Sequence, residues 1–285
     1  MTFLLSPRAS AAATTSFAPA RVGPALHPGA LLHSSLKSVP TAESIVDFSS
    51  ARSLFKAAVA AAAAARGYYA LDGFVTEHRA AAEALARAYS ALARFEPSRR
   101  RAAAMYCRAA ELVGPLARSL NPSAYSAAVK ELSHAEAAAW AAATDALVAA
   151  KAPAKEITAS ADAGRSANDL FLRGFADVRF SKEAALAGKV LPGASTTVDV
   201  DLAAPYALAH FAAARALLAR RANSLSERAD DAAMSLLRFN AFARVAKVLA
   251  GDSGEQFLQP QRHLAAELET LLPQKIALLR QGKDV

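Results

Sequence analysis

Cysteine is almost missing from this chain: among 285 residues only Cys107 carries a thiol. A single cysteine excludes an internal disulfide framework and any zinc site built on cysteine ligands. Aromatic residues make up 7% of the chain and glycines are sparse after residue 42, so material suited to β-strands is short. A membrane-length apolar run is also missing. The longest candidate, Ala57 to Ala65, is nine residues between Lys56 and Arg66, well short of the roughly 20 that a bilayer requires. No Gly-rich phosphate loop, zinc-protease motif or nucleophile elbow occurs, and the serines and histidines form no pattern that marks a triad. These gaps argue against an enzyme and against a metal or other cofactor.

What is present is alanine in quantity, the residue that gives up no side-chain entropy in a helix. A length of 285 residues allows one or two domains with a sizeable core. The formal charge of +8 is uneven. Residues 1–42 hold Arg8, Arg21 and Lys37 with no acid, leaving 30 basic against 25 acidic side chains in the rest. A mildly basic, well-mixed remainder does not suit a dedicated nucleic-acid binder.

Met1 to Ala42 is rich in Ser, Thr, Ala, Pro and Arg and has no sustained helical period. It reads as a leader that is disordered and dispensable for folding of the rest. Its composition also fits an organelle transit peptide, with a plain disordered leader or a misplaced gene start as the alternatives. Phe3-Leu4-Leu5 is too short for a secretory h-region.

From Glu43 onward the chain reads as long helices with short breaks. The first should run from about Ala42 to Tyr69 and bury Ile45, Phe48, Phe55 and Val59. The Leu71-Asp72-Gly73 break should reverse the chain, with Gly73 free to take positive φ and Asp72 available to the next backbone amides. The second helix sets Phe74, Leu85, Tyr89, Leu92 and Phe95 on one face and stops at Pro97. The third runs from Ser98 to about Leu120, with Gly114-Pro115 expected to kink or interrupt it. Asn121-Pro122 should cap the fourth, which carries Tyr125, Val129, Leu132, Trp140 and Leu147 to an end at Pro153. The fifth spans Ala154 to about Phe180 and presents Ile157, Leu170, Phe171, Phe175 and Val178. Residues 186–201 read as a flexible linker. The sixth should start near Pro205 and run to about Arg221. A Ser224/Glu227 capping box opens the seventh, which should bury Leu236, Leu237, Phe239, Phe242, Val245 and Leu249 before Gly251 stops it. An Asp252/Glu255 box should open the last, through Leu264, Leu268 and Leu272, with a bend at Pro273.

These elements predict an all-α fold of antiparallel helix pairs stacked as a tetratricopeptide-like α-solenoid over residues 43–285. Trp140 with Phe171 and Phe175 matches the 34-residue repeat only loosely, and a closed bundle is the alternative. Phe74, Leu85, Tyr89, Trp140, Phe171, Phe239 and Phe242 are the expected core aromatics and aliphatics.

Candidate chemistry is thin. Glu131-x-x-His134 has the spacing used in di-iron bundles, but a single pair is a solvated helix face, not a site. Cys107 beside Tyr106 and Arg108 is a candidate for a lowered pKa and some reactivity, because nearby positive charge favours the thiolate; a buried, inert thiol is the simpler reading. Arg99-Arg100-Arg101 is the densest basic cluster, placed where the helix dipole is already positive. It is either a solvated turn or a contact for a partner with acidic groups.

One stretch carries more than composition does. Tyr68-Tyr69-Ala70-Leu71-Asp72-Gly73-Phe74-Val75-Thr76-Glu77-His78, followed by a helix closing on Phe95-Glu96, resembles the KIF-binding protein family. The likeness continues in order through Met105-Tyr106-Cys107-Arg108, Leu120-Asn121-Pro122-Ser123-Ala124-Tyr125, Ala209-His210-Phe211-Ala212-Ala213-Ala214-Arg215 and Leu271-Leu272-Pro273-Gln274-Lys275. It covers roughly Ala51 to Arg280 and corresponds to the C-terminal half of a family member, which implies a truncated chain or a reduced paralogue. Cys107 and Ala109 depart from the family in replacing basic residues. The resemblance implies a cytoplasmic, cytoskeleton-associated protein that binds a kinesin motor domain and keeps it off microtubules without catalysis. Arg99, Arg100, Arg101 and Arg108 are the partner-binding candidates. The alternative is an organelle-targeted helical-repeat scaffold for an unrelated protein.

Overall fold

The computed structural model describes residues 45–175, 200–222, 224–253 and 258–284. Among them are eight helices and no strand: α1 (Phe48–Tyr68), α2 (Val75–Phe95), α3 (Arg99–Ser119), α4 (Ser126–Ala149), α5 (Ala154–Arg173), α6 (Val200–Ala219), α7 (Leu225–Ser253) and α8 (Gln259–Arg280). The expectations for the leader, for Val178 and for residues 186–199 of the linker lie outside the described residues.

Each helix packs most extensively on its sequence neighbour, with α4 also reaching α6 across α5. That order is the one a stacked array produces, since a closed bundle would press its first helix against its last. Cross-helix contacts fix the pairs as antiparallel. The start of α3 meets the end of α4 through Ala103, Ala146 and Leu147, while its end meets the start of α4 through Leu116, Ala117 and Val129. In α4 and α5, Thr144 bonds Ser160 at 2.9 Å, and a Cβ on Gly164 would sit 3.2 Å from that of Trp140.

Two kinds of core result. Around α2 to α4 the buried face is mostly alanine, with Val113, Leu116 and Leu132 between, so backbones approach closely and little side-chain entropy is lost. Around α5 to α8 the core is aromatic: Phe171, Phe175, Tyr206, Phe211, Phe239 and Phe242. Each such side chain contributes about 1.5–3 kcal/mol by burial, and edge-to-face pairs such as Phe171 with Phe175 at 5.0 Å add to that.

Several local expectations are corrected. α1 starts at Phe48, because Asp47 and Ser50 form a capping box there. Its fully buried residues are Ala51 and Ala62, and Ile45, Phe48, Phe55 and Val59 are half-buried. The turn after it uses neither positive φ at Gly73 nor a cap from Asp72. Phe74 N–H donates to the Ala70 carbonyl at 2.9 Å, and His78 Nδ1 lies 2.8 Å from the Tyr69 carbonyl. Asn121 does not cap α4. Its side chain accepts from Ser123 N–H at 3.0 Å in a local turn, and the helix begins at Ser126. α3 continues through Pro115 and α8 through Pro273. α5 ends at Arg173 before Gly174, while α6 begins already at Val200 and contains Pro205. α7 runs past Gly251 to Ser253, and the Asp252/Glu255 box falls on side chains outside the described ones. The Ser224/Glu227 box forms as read, with bonds of 3.1 and 3.4 Å.

Leu85, Phe171, Phe239 and Phe242 are buried, and Tyr89 and Trp140 half-buried. Phe74 is 47% exposed and Leu237 59% exposed.

Candidate partner-binding face

The even-numbered helices share one side of the array, and two grooves open there. The first, about 710 Å³, lies over α3 between α2 and α4. Its floor is alanine with Val113, and its rim carries Glu83, Arg87, Arg94, Glu131 and His134. The second, about 330 Å³, lies between α4, α6 and α8, and the half-exposed apolar residues Val148 and Leu264 line it beside Phe211.

Charge on this face is laid out in pairs. Arg79 on α2 bonds Glu83 one turn on at 2.7 Å and also reaches Glu131 of α4. Arg87 sits 3.6 Å from the other oxygen of Glu83. At the second groove Arg215 of α6 pairs with Asp145 of α4 at 2.6 Å. These exposed pairs set the spacing of neighbouring helices more than they stabilise it, each being worth about 0–1 kcal/mol. Arg94 and the outer part of Arg87 remain available to a partner.

Of the four arginines read from the sequence, none lines either groove. Arg100 bonds Glu156 of α5 at 2.7 Å. Arg101 donates through Nε and Nη2 to one oxygen of Glu96, at 3.0 and 2.8 Å. Arg108 lies 3.3 Å from Glu111 on its own helix. Arg99 is exposed and makes no ion pair or side-chain hydrogen bond among the described residues.

The Glu96 contact explains why a basic cluster is tolerated at the start of α3. Its side chain is 1% exposed. Burial by itself would push the carboxyl up, but the Ser98 amide at 2.9 Å and the Arg101 guanidinium hold it below the ordinary value. A carboxylate thus faces the positive end of the α3 dipole, and Ser98 Oγ adds an N-cap by accepting from Arg101 N–H. The Phe95-Glu96 ending is therefore a junction fastener.

The remaining chemical candidates are inert. Burial, with the Glu111 charge adding to it, pushes the Cys107 thiol up to about 11. Burial also lowers the pKa of His134, leaving it neutral, and its ring packs 5.0 Å from that of Phe171. Glu131 is taken by Arg79, and among the described residues no group of His, Cys, Asp and Glu is placed to hold a metal. No helix among them is long and apolar enough to cross a membrane.

The sequence reading missed the grooves. The Arg79-Glu83-Arg87 ladder at four-residue steps was a legible sign of an exposed charged helix face. Nothing local showed that alanines on α2, α3 and α4 leave a depression between them.

A family model described as KIF-1 binding protein C terminal matches residues 31–279. No curated protein and no solved structure matches the chain.

Proposed function

Because the chain belongs to the KIF-1 binding protein C-terminal family, we propose that it is a non-enzymatic adaptor that grips a kinesin motor domain. The grip lies on the face made by α2, α4, α6 and α8 and lowers the motor's access to microtubules. The observation that carries this reading is the family match, which takes in all of α1 to α7 and α8 as far as Leu279. The two grooves support it physically, since a face with alanine-floored depressions and charged rims offers shape and register to a folded partner. Helix pairing in the manner of tetratricopeptide repeats belongs to this proposal, as does a cytoplasmic, cytoskeleton-associated location. Arg99, Arg100, Arg101 and Arg108 would contribute contacts from the edge of the array, Arg99 most freely.

The test titrates the full chain against a panel of kinesin motor domains at low salt, where electrostatic contributions are strongest, followed by competition with microtubules. Saturable binding to at least one motor is expected. Arg94→Glu should weaken it by about fivefold or more and Arg99→Ala by less, because Arg94 borders the first groove and its replacement reverses the charge there, whereas Arg99 lies at the edge of the array outside both grooves. If no motor domain gives saturable binding, the kinesin reading fails and the scaffold reading replaces it.

A further inference from the structure

At the far end of the array, the last turn of α6, the first turn of α7 and the end of α8 enclose a polar cavity of about 310 Å³. Four cations line it: Arg220, Arg221, Arg228 and Lys275. Arg220 is committed to two carboxylates, Asp162 at 2.9 Å and Asp231. Arg221 and Lys275 make no ion pair among the described residues. Arg228 is engaged by a residue of a different kind. Its guanidinium, largely withdrawn from solvent, bonds Asp284 at 2.6 Å, while the Asp284 side chain is 67% exposed.

Asp284 arrives there on the turn that follows α8. Gly282, at φ 79°, turns the chain after α8, and Lys283 N–H donates back to the Leu278 carbonyl at 3.0 Å. A turn this exposed opens at little cost. The cavity therefore holds more positive charge than its acids balance: Asp231 is committed to Arg220, and the other lining carboxylate, Asp284, is exposed and displaceable. We propose that this cavity is a recognition site for an acidic segment of a partner protein, with Asp284 as a built-in placeholder that the partner's carboxylate displaces. The seated group is itself a carboxylate, which is why the site is assigned to acidic side chains and not to phosphate. The site is separable from motor binding, because Arg228, Lys275 and Asp284 line neither groove, although the cavity shares Leu218 and Arg221 with the second.

The experiment uses the full chain and an N-acetylated glutamate-rich peptide, followed by fluorescence anisotropy at low salt. Removing the placeholder by Asp284→Asn should tighten peptide binding about two- to fivefold, the equilibrium weight of a partly exposed ion pair. Lys275→Gln added to Asp284→Asn should cancel that gain, while Lys155→Gln, on the exposed face of α5, should leave it intact. Equal affinity for the native chain and Asp284→Asn would overturn the proposal, as would equal losses from Lys275→Gln and Lys155→Gln. Absence of saturable peptide binding, or saturation by inorganic phosphate without peptide binding, would overturn it too.

Discussion

Adding one methyl group at Gly114 should destabilise the chain, although alanine is the better helix former. Gly114 lies in α3 facing Glu136 of α4, and a Cβ there would overlap the Glu136 carboxylate and come within 2.6 Å of Arg118 Nη2. Glu136 is buried and accepts from Arg118 Nη1 with both oxygens, at 3.0 and 2.9 Å. Helix propensity favours Gly114→Ala by about 0.8–1 kcal/mol. Overpacking opposes it by about 1–3 kcal/mol. Loss of the Arg118 pair adds about 0.5–1 kcal/mol, a value reduced because that arginine is half exposed. The net expectation is a destabilisation of about 1–3 kcal/mol, worth about 2–4 °C in melting temperature per kcal/mol for a chain of this size.

The decisive assay is a double-mutant cycle followed by urea unfolding, read by circular dichroism and by fluorescence of Trp140, the single tryptophan, one turn along α4. In a Glu136→Ala background the carboxylate clash is gone, and Arg118, half exposed and released from its pair, can swing aside. Gly114→Ala should there become stabilising by about 0.5–1 kcal/mol, a reversal of sign that only direct contact between the two sites produces. The reasoning is refuted if Gly114→Ala is neutral or stabilising in the native background, or costs the same with and without Glu136.

Glu96 and Cys107 supply two further tests. The folded-state pKa of Glu96 is below its ordinary 4.5, so its contribution is full above that value and is lost as pH falls through the folded pKa. Glu96→Gln should therefore melt lower than the native chain at neutral pH, with the gap closing in acid; a gap that persists unchanged into strong acid contradicts the assignment. With the Cys107 thiol pushed up to about 11, alkylation by iodoacetamide at pH 8 should run roughly a hundredfold slower than for an ordinary free thiol, and mass spectrometry showing rapid labelling would reject the buried, inert reading.

Much of the helical order was legible because its causes are local. The Ser224/Glu227 box forms from residues three apart, and Pro97 and Pro153 each stand in the break between two helices. Other errors came from reading one local signal against another. Asn121-Pro122 satisfied the rule for a helix start, yet Asn121 bonded Ser123 in a turn of its own. Gly251 and Pro115 did not interrupt their helices; one poor helix former costs about 1–3 kcal/mol, which the rest of a long helix offsets. The Arg99-Arg100-Arg101 cluster looked like an uncompensated charge only because Glu96, three residues upstream of Arg99, was not recognised as the buried carboxylate facing it.

The sequence by itself determined that this chain is helical, where most of its helices turn, and which family it belongs to, since propensity, capping and motif order all act within a few residues or along the chain. Tertiary structure alone decided which stripes stay covered. Phe74 and Leu237 obey the same periodicity as Leu85 and Phe239 but stay about half exposed. It also brought Gly114 against Glu136, Arg228 against Asp284, and alanines of three helices around one groove. Burial and juxtaposition depend on helices distant in sequence, and no window of local residues contains that information.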